Sequence, residues 1–76
     1  MRRCESIALL ELLKCIDIVQ PICIVLADPM GRPYEAFKGD KGDISEYLKI
    51  SFVGEYVQNV YTYNYTNEIV INCANG

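Results

Sequence analysis

The sequence contains no histidine and no tryptophan among its 76 residues. Without histidine, the chain lacks the most common general base and the most common metal ligand of proteins. Residues 1–76 are predicted to form a single domain, and a domain of this size has little room for a substrate cleft. We therefore expect a binding protein and not an enzyme, with no catalytic residue, no metal site and no cofactor.

Charge of either sign is scarce, with 7 basic and 10 acidic residues and a net charge of −3. Proteins that bind DNA or RNA need clustered cations, which displace counterions from the phosphates. No such cluster is present, so direct binding to nucleic acid is not expected. The acidic residues are dispersed along the chain, which is typical of a solvated surface.

Long apolar runs and paired cysteines are also missing. The most apolar uncharged stretch covers residues 18–27 and is too short to cross a bilayer. Charged side chains interrupt the apolar segment that follows Met1, which argues against a signal peptide. We expect a soluble cytoplasmic protein that does not bind membranes. Without a secretion signal or a C-x-x-C pair, the four cysteines are predicted to be free thiols, with Cys4 the most exposed.

The first half of the chain predicts a helix and a hairpin. Leucines recur at helical spacing and predict an amphipathic helix over about residues 4–16. The continuous apolar run 22–27 predicts a strand that is buried on both faces. Asp28-Pro29-Met30-Gly31 has the composition of a tight turn. The returning strand, about residues 32–37, is expected at a sheet edge because Pro33 cannot donate a hydrogen bond.

The second half predicts a short helix and a second hairpin. Asp43 and Glu46 match a capping box, which predicts a helix over about residues 44–49. Residues 56–63 and 68–73 alternate as strands do, and residues 64–67 connect them. The sequence therefore predicts a small α+β domain in the order α-β-β-α-β-β, with an antiparallel sheet and the helices on one face.

Tyrosine is frequent, with six residues, and its spacing is informative. Tyr61 and Tyr63 share strand parity and should point to the same side of the sheet. Two interpretations stay open: the rings fill the core, or they form a contact face on the side that the helices leave uncovered. The candidate interface residues are Tyr34, Tyr56, Tyr61, Tyr63 and Tyr65.

The segment Gly39-Asp40-Lys41-Gly42 is the nearest approach to a ligand motif. Glycines ahead of a helix can hold an anion, and Lys41 could assist. However, the spacing is not that of a P-loop, and aspartates would repel phosphate. A capped loop explains the same residues, so Gly39, Asp40, Lys41 and Gly42 are retained only as candidate ligand-loop residues.

Five segments follow one another in a characteristic order: residues 7–17 (IALLELLKCID), the turn 28–31 (DPMG), residues 42–44 (GDI), residues 57–63 (VQNVYTY) and residues 69–71 (IVI). This order resembles a loose group of short proteins encoded by phages and prophages of Gram-positive bacteria. The group has no established chemistry to carry over to individual residues. The resemblance implies a small phage accessory protein in the cytoplasm of its bacterial host.

Accessory proteins of this size often act as anti-defence inhibitors. We therefore expect a protein that binds and inhibits a bacterial host protein, such as a CRISPR effector. One alternative is an oligomeric sponge for a small nucleotide signal, with Lys41, Arg32 and tyrosines lining a pocket between subunits. Another alternative is a small structural or assembly protein. A homodimer is also expected, because the chain is small and 51% hydrophobic.

Overall fold

The computed structural model describes residues 7–63 and 65–75, with the exception of the side chains of Tyr63 and Asn75. These residues form a sheet with short helices, so the predicted α+β class is confirmed. The elements in chain order are β1 (Ile7–Ala8), α1 (Leu9–Leu13), β2 (Pro21–Ala27), β3 (Pro33–Asp40), a 3-10 helix (Lys41–Asp43), α2 (Glu46–Ser51), β4 (Glu55–Tyr63) and β5 (Glu68–Asn75).

The described strands form one sheet in the order β1-β4-β5-β2-β3. Both predicted hairpins are confirmed, since β2 pairs with β3 and β4 with β5 in antiparallel register. The prediction of an antiparallel sheet is wrong, because β2 and β5 run parallel and the sheet is mixed. The two hairpins join through their most apolar strands, which places those strands at the centre, where burial is greatest.

The first helix is shorter than predicted and covers only Leu9–Leu13. Residues 1–6, with Cys4, lie outside the described part of the chain. Ile7 and Ala8 extend instead as β1 and pair with Val57 and Tyr56 of β4. Residues after α1 continue in turns, in which Cys15 and Ile16 donate to carbonyls three residues earlier. Leucine periodicity does not reveal that Ile7 and Ala8 form a strand, because two residues are too few to disturb a helical pattern.

The strand β2 alternates between buried and half-buried residues. Ile22, Ile24 and Leu26 are buried, whereas Cys23 and Val25 are half-buried. The prediction that this strand is buried on both faces is therefore wrong, because both helices cover the same side of the sheet. The edge position of β3 is confirmed.

The turn between β2 and β3 forms as predicted. The Gly31 N–H donates to the Asp28 carbonyl oxygen over 2.8 Å, and the Asp28 N–H donates to the Arg32 carbonyl oxygen over 2.9 Å. Gly31 has a φ of 85°, which a residue with a side chain rarely adopts. The Asp28 carboxylate also accepts hydrogen bonds from the backbone N–H groups of Met30 and Arg32, and these two bonds stabilise the turn.

The second helix starts later than predicted, at Glu46, and ends at Ser51. Its N-cap is Ser45 and not Asp43, because the Ser45 hydroxyl oxygen accepts from the Leu48 N–H over 3.0 Å. Asp43 lies in the 3-10 helix. Between the two helices, Ile44 is extended and buried. Burial of Ile44 in the core thus separates Asp43 from the helix that it was predicted to cap.

The hydrophobic core lies between the helices and one face of the sheet. It contains side chains from α1, the strands β2 and β5, and the segments that flank α2. Phe52, which follows α2, is among the largest fully buried side chains. The clustered residues are Leu9, Leu13, Ile22, Ile24, Leu26, Ile44, Phe52, Ile71 and Cys73. Within the described residues, no helix has the length and apolar character needed to cross a membrane.

Candidate functional site

The face of the sheet opposite the core has no helix over it among the described residues, and we call it the open face. Its members are the strand residues whose side chains alternate away from the core. They are Tyr56, Asn59 and Tyr61 of β4, Glu68, Val70, Asn72 and Ala74 of β5, Cys23 and Val25 of β2, and Glu35 and Lys38 of β3.

Two of the predicted interface tyrosines, Tyr56 and Tyr61, lie on the open face at different points along β4. Tyr61 is opposite Val70 in the β4–β5 ladder, and Tyr56 is opposite Ala74. Tyr61 is 44% exposed and Tyr56 is 38% exposed, so neither ring belongs to the core. Each ring therefore rests beside a small or β-branched neighbour while presenting part of its surface to solvent.

Two of the other three candidate tyrosines, Tyr34 and Tyr65, lie elsewhere. Tyr34 is opposite Leu26, on the core side of β3, and is half-exposed. Tyr65 is fully exposed in the connection between β4 and β5. Tyr63 occupies the strand position opposite Glu68, but its side chain lies outside the described part of the chain.

The centre of the open face is apolar, and the part of it towards β3 is charged. Val70 is only 4% exposed although it does not belong to the core cluster. Lys38 approaches Glu68 at 4.0 Å across the intervening strand β2. At the other end, the Asn72 amide donates to the Asn59 side-chain oxygen over 2.9 Å. Polar groups thus flank the tyrosines and Val70.

Burial keeps the strand thiols in their protonated form. Burial, followed by the charges of Glu35 and Glu68, raises the pKa of the Cys23 thiol on the open face. Burial and the nearby Glu55 carboxylate raise the pKa of the Cys73 thiol to about 11. Because the thiolate is the nucleophile, neither environment activates its cysteine.

The cysteines within the described residues form no disulfide. Cys15 is exposed, Cys23 is half-buried and Cys73 is buried. In residues 7–63 and 65–75, no group of three or more potential metal-binding side chains comes together.

The candidate ligand loop is built into the fold by its backbone. The Lys41 N–H donates to the Gln20 carbonyl oxygen over 2.9 Å, and the Gly42 N–H donates to the Ile18 carbonyl oxygen over 2.8 Å. Gly39 and Asp40 belong to β3, where they pair with the first residues of β2. With its two central N–H groups occupied, this segment offers a ligand mainly the Lys41 ammonium group.

That ammonium group borders a groove between α1 and α2 that sequence reasoning missed. The groove has a volume of about 320 Å³ and is lined in part by Leu10, Ile50 and Val53. Ile50 and Val53 are about two-thirds exposed. The sequence did contain a signal for this groove, because Tyr47, Ile50 and Val53 follow one another at intervals of three residues. That spacing places apolar side chains on one side of a helical turn.

Comparison with known protein families, with curated proteins and with solved structures yields no significant match for this chain.

Proposed function

We propose that this protein acts by binding, and that its open face contacts a bacterial host protein and inhibits it. The observation that carries the proposal is the exposure of Tyr56 and Tyr61, which lie beside small or apolar neighbours on a face that no described helix covers. The inhibited partner and a location in the host cytoplasm rest on the resemblance to phage accessory proteins.

The composition of the open face supports a protein partner. Protein interfaces combine a desolvated apolar centre that is rich in tyrosine with a polar rim. Here Tyr61 and Val70 lie near the centre, while Lys38 and Glu68 supply charge towards β3. A hollow of about 350 Å³ beside Asn59 and other residues could receive a partner side chain.

The chemistry of the site supports binding over catalysis. The raised pKa values of the Cys23 and Cys73 thiols keep the nucleophilic form scarce at neutral pH. The sequence provides no histidine that could act as a base for either thiol. We therefore propose a non-catalytic role.

The alternative of a nucleotide sponge has less support from the geometry. Arg32 precedes β3 and Lys41 follows it, so the eight-residue strand separates them by about 25 Å within one chain. Arg32 also lies 3.7 Å from the Asp28 carboxylate. A shared pocket would need a second subunit to bring these two cations together. No particular observation favours a purely structural or assembly role.

Site-specific photo-crosslinking in bacteria tests the proposed surface. A benzophenone amino acid replaces Tyr61 on the open face or, as the matched control, Tyr47 on α2, which is 86% exposed on the helical side. We expect one host protein to crosslink at position 61 and not at position 47. Equal adducts at both positions, or none at position 61, would contradict the assignment of the open face.

Inhibition is tested by phage plating on strains that carry a defence system. Expression of the protein should raise plating efficiency, and Tyr61→Ala should abolish the rise while Tyr47→Ala retains it. The melting temperature of each variant is measured, so that loss of folding is distinguished from loss of contact. The relevant strains are those whose defence protein crosslinks at position 61. If the wild-type protein leaves plating efficiency unchanged on all of them, the inhibitor role is wrong.

Self-association through the same face is part of the proposal, because exposed tyrosines beside apolar neighbours also suit a homodimer. Sedimentation equilibrium at tens of micromolar should give twice the chain mass of 8.6 kDa. Tyr61→Ala should shift the equilibrium towards monomer. A wild-type monomer at this concentration would refute the homodimer. The proposed contact with a host protein would still be tested by the crosslinking experiment.

A further inference from the structure

The groove between the two helices lies on the side of the molecule that carries the core, away from the open face. It is lined by Leu10 and Leu13 of α1 on one side, and by Ile50 of α2 and Val53, two residues beyond that helix, on the other. Leu13 is buried, whereas Ile50 is 70% exposed and Val53 is 68% exposed. A volume of about 320 Å³ is at the lower end of the range for small-molecule sites.

Positive charge is concentrated around this groove in a chain whose net charge is −3. Three lysines line it, and they come from three different elements: Lys14 at the end of α1, Lys41 of the 3-10 helix and Lys49 of α2. Among the described residues, the only acidic side chain in the lining is that of Glu46, which is 90% exposed and 3.3 Å from Lys49.

Lys41 differs from the other two lysines. Lys14 lies 3.4 Å from Glu11, and Lys49 is paired with Glu46. Lys41 forms no ion pair with any residue in the described ranges, and its backbone is held by the hydrogen bond from its N–H to the Gln20 carbonyl oxygen. It is therefore the cation with most capacity to pair with a ligand.

We propose that this groove binds a single-headed anionic amphiphile, a fatty carboxylate whose alkyl chain lies between the helices and whose carboxylate pairs with Lys41. The alkyl chain covers the half-buried Leu10 and the exposed Ile50 and Val53, whose accessible apolar surface is the source of affinity. This site is independent of the proposed function, because it uses a different surface and a different class of ligand.

The lining favours an alkyl chain over a nucleotide. A nucleotide base is normally recognised by stacking on an aromatic ring and by hydrogen bonds to its edges. Of the eight described residues that line the groove, none is aromatic and four are leucine, isoleucine or valine. Apolar walls with one uncompensated cation at the rim match a ligand with a methylene chain and one negative charge.

The test is a titration of the ¹⁵N-labelled protein with sodium decanoate below its micelle concentration, followed by NMR. Signals of residues around Leu10 and Ile50 should shift and saturate, and affinity should fall as salt is added, because ions screen the exposed charges. Octanoate should bind more weakly, by up to about fourfold for each methylene removed. Butyrate tests the head group alone and should not saturate.

Variants of the protein separate the contributions of the ligand's alkyl chain and of its carboxylate head group to binding. Ile50→Asn should weaken decanoate binding about tenfold or more, because it removes apolar contact from an exposed position that folding does not require. Lys41→Gln should weaken binding about two- to fivefold, the range for an exposed ion pair. Arg32→Gln removes one positive charge at the distant β2–β3 turn and should leave affinity unchanged.

Three outcomes would overturn the proposal. The first is the absence of saturable shifts with decanoate, and the second is shifts that map to the open face instead of the groove. The third is equal binding of decyltrimethylammonium, which has the same chain and the opposite charge. Because the host-partner experiments use Tyr61 and the groove experiments use Ile50 and Lys41, failure of one proposal leaves the other intact.

Discussion

The backbone N–H of Gly42 donates to the carbonyl oxygen of Ile18 over 2.8 Å, and this contact leaves no space for a side chain. A Cβ atom on Gly42 would lie 3.0 Å from that oxygen and 3.2 Å from the Ile18 Cβ. Both distances are shorter than ordinary van der Waals contacts. The close approach fixes the segment that positions Lys41 beside the groove.

Replacement of Gly42 by alanine should therefore lower the free energy of unfolding by about 1 kcal/mol, because the added methyl group displaces the backbone at Ile18. Urea unfolding followed by circular dichroism measures the change. Asp43→Ala, at the neighbouring exposed position, is the control and should stay within about 0.5 kcal/mol of wild type. A Gly42→Ala protein as stable as wild type would show that this contact relaxes without cost.

The two candidate caps of α2 can be distinguished by a pair of alanine variants. Ser45→Ala removes the oxygen that accepts from the Leu48 N–H and should cost about 1 kcal/mol of stability. Asp43→Ala removes a side chain with no hydrogen bond to that helix and should be nearly neutral. The same urea measurement applies, and a larger loss for Asp43→Ala would favour the cap predicted from the sequence.

The adjacent residues Phe52 and Val53 should respond very differently to truncation. Phe52 is 1% exposed, and its replacement by alanine should cost about 3–5 kcal/mol through lost burial and a residual cavity. A domain this small has about that much stability in total, so Phe52→Ala should be largely unfolded at 25 °C. Val53→Ala, at 68% exposure, should keep the wild-type melting temperature within a few degrees. Comparable losses in both variants would contradict the observed core.

Stability should decrease with alkaline pH because of Cys73. Burial and Glu55 raise the pKa of this thiol from 9.0 to about 11 in the folded protein. Below pH 9, folded and unfolded chains both keep the proton, so the contribution is constant. Between pH 9 and 11 the unfolded chain releases the proton while the folded chain keeps it, and rising pH therefore favours unfolding.

The measurement is the urea midpoint at several pH values between 8 and 11 for three proteins. The stability of wild type should fall more steeply with rising pH than that of Cys73→Ala, since this variant lacks the buried thiol. Cys15→Ala removes an exposed thiol and should follow the wild-type slope. If Cys73→Ala and wild type give parallel curves, the thiol does not contribute to the pH dependence.

Local patterns predicted most of the strands and the first turn. Asp28 and Gly31 have the chemistry that the β2–β3 turn requires, and alternation located both strands of the second hairpin. Strand parity predicted that Tyr61 lies on the side of β4 opposite to Val60, as the ladder shows. It could not assign Tyr34 to the core side, since that depends on the register of β3 with β2.

The sequence by itself determined where the chain turns and which side of β5 is apolar, because both properties depend on near neighbours. Only the tertiary structure decided that β2 and β5 run parallel at the centre of the sheet, that Ile44 enters the core and transfers the cap to Ser45, and that a groove forms beside Lys41. These features depend on competition for burial among segments that are distant in the chain. Local periodicity contains no information about the outcome of that competition.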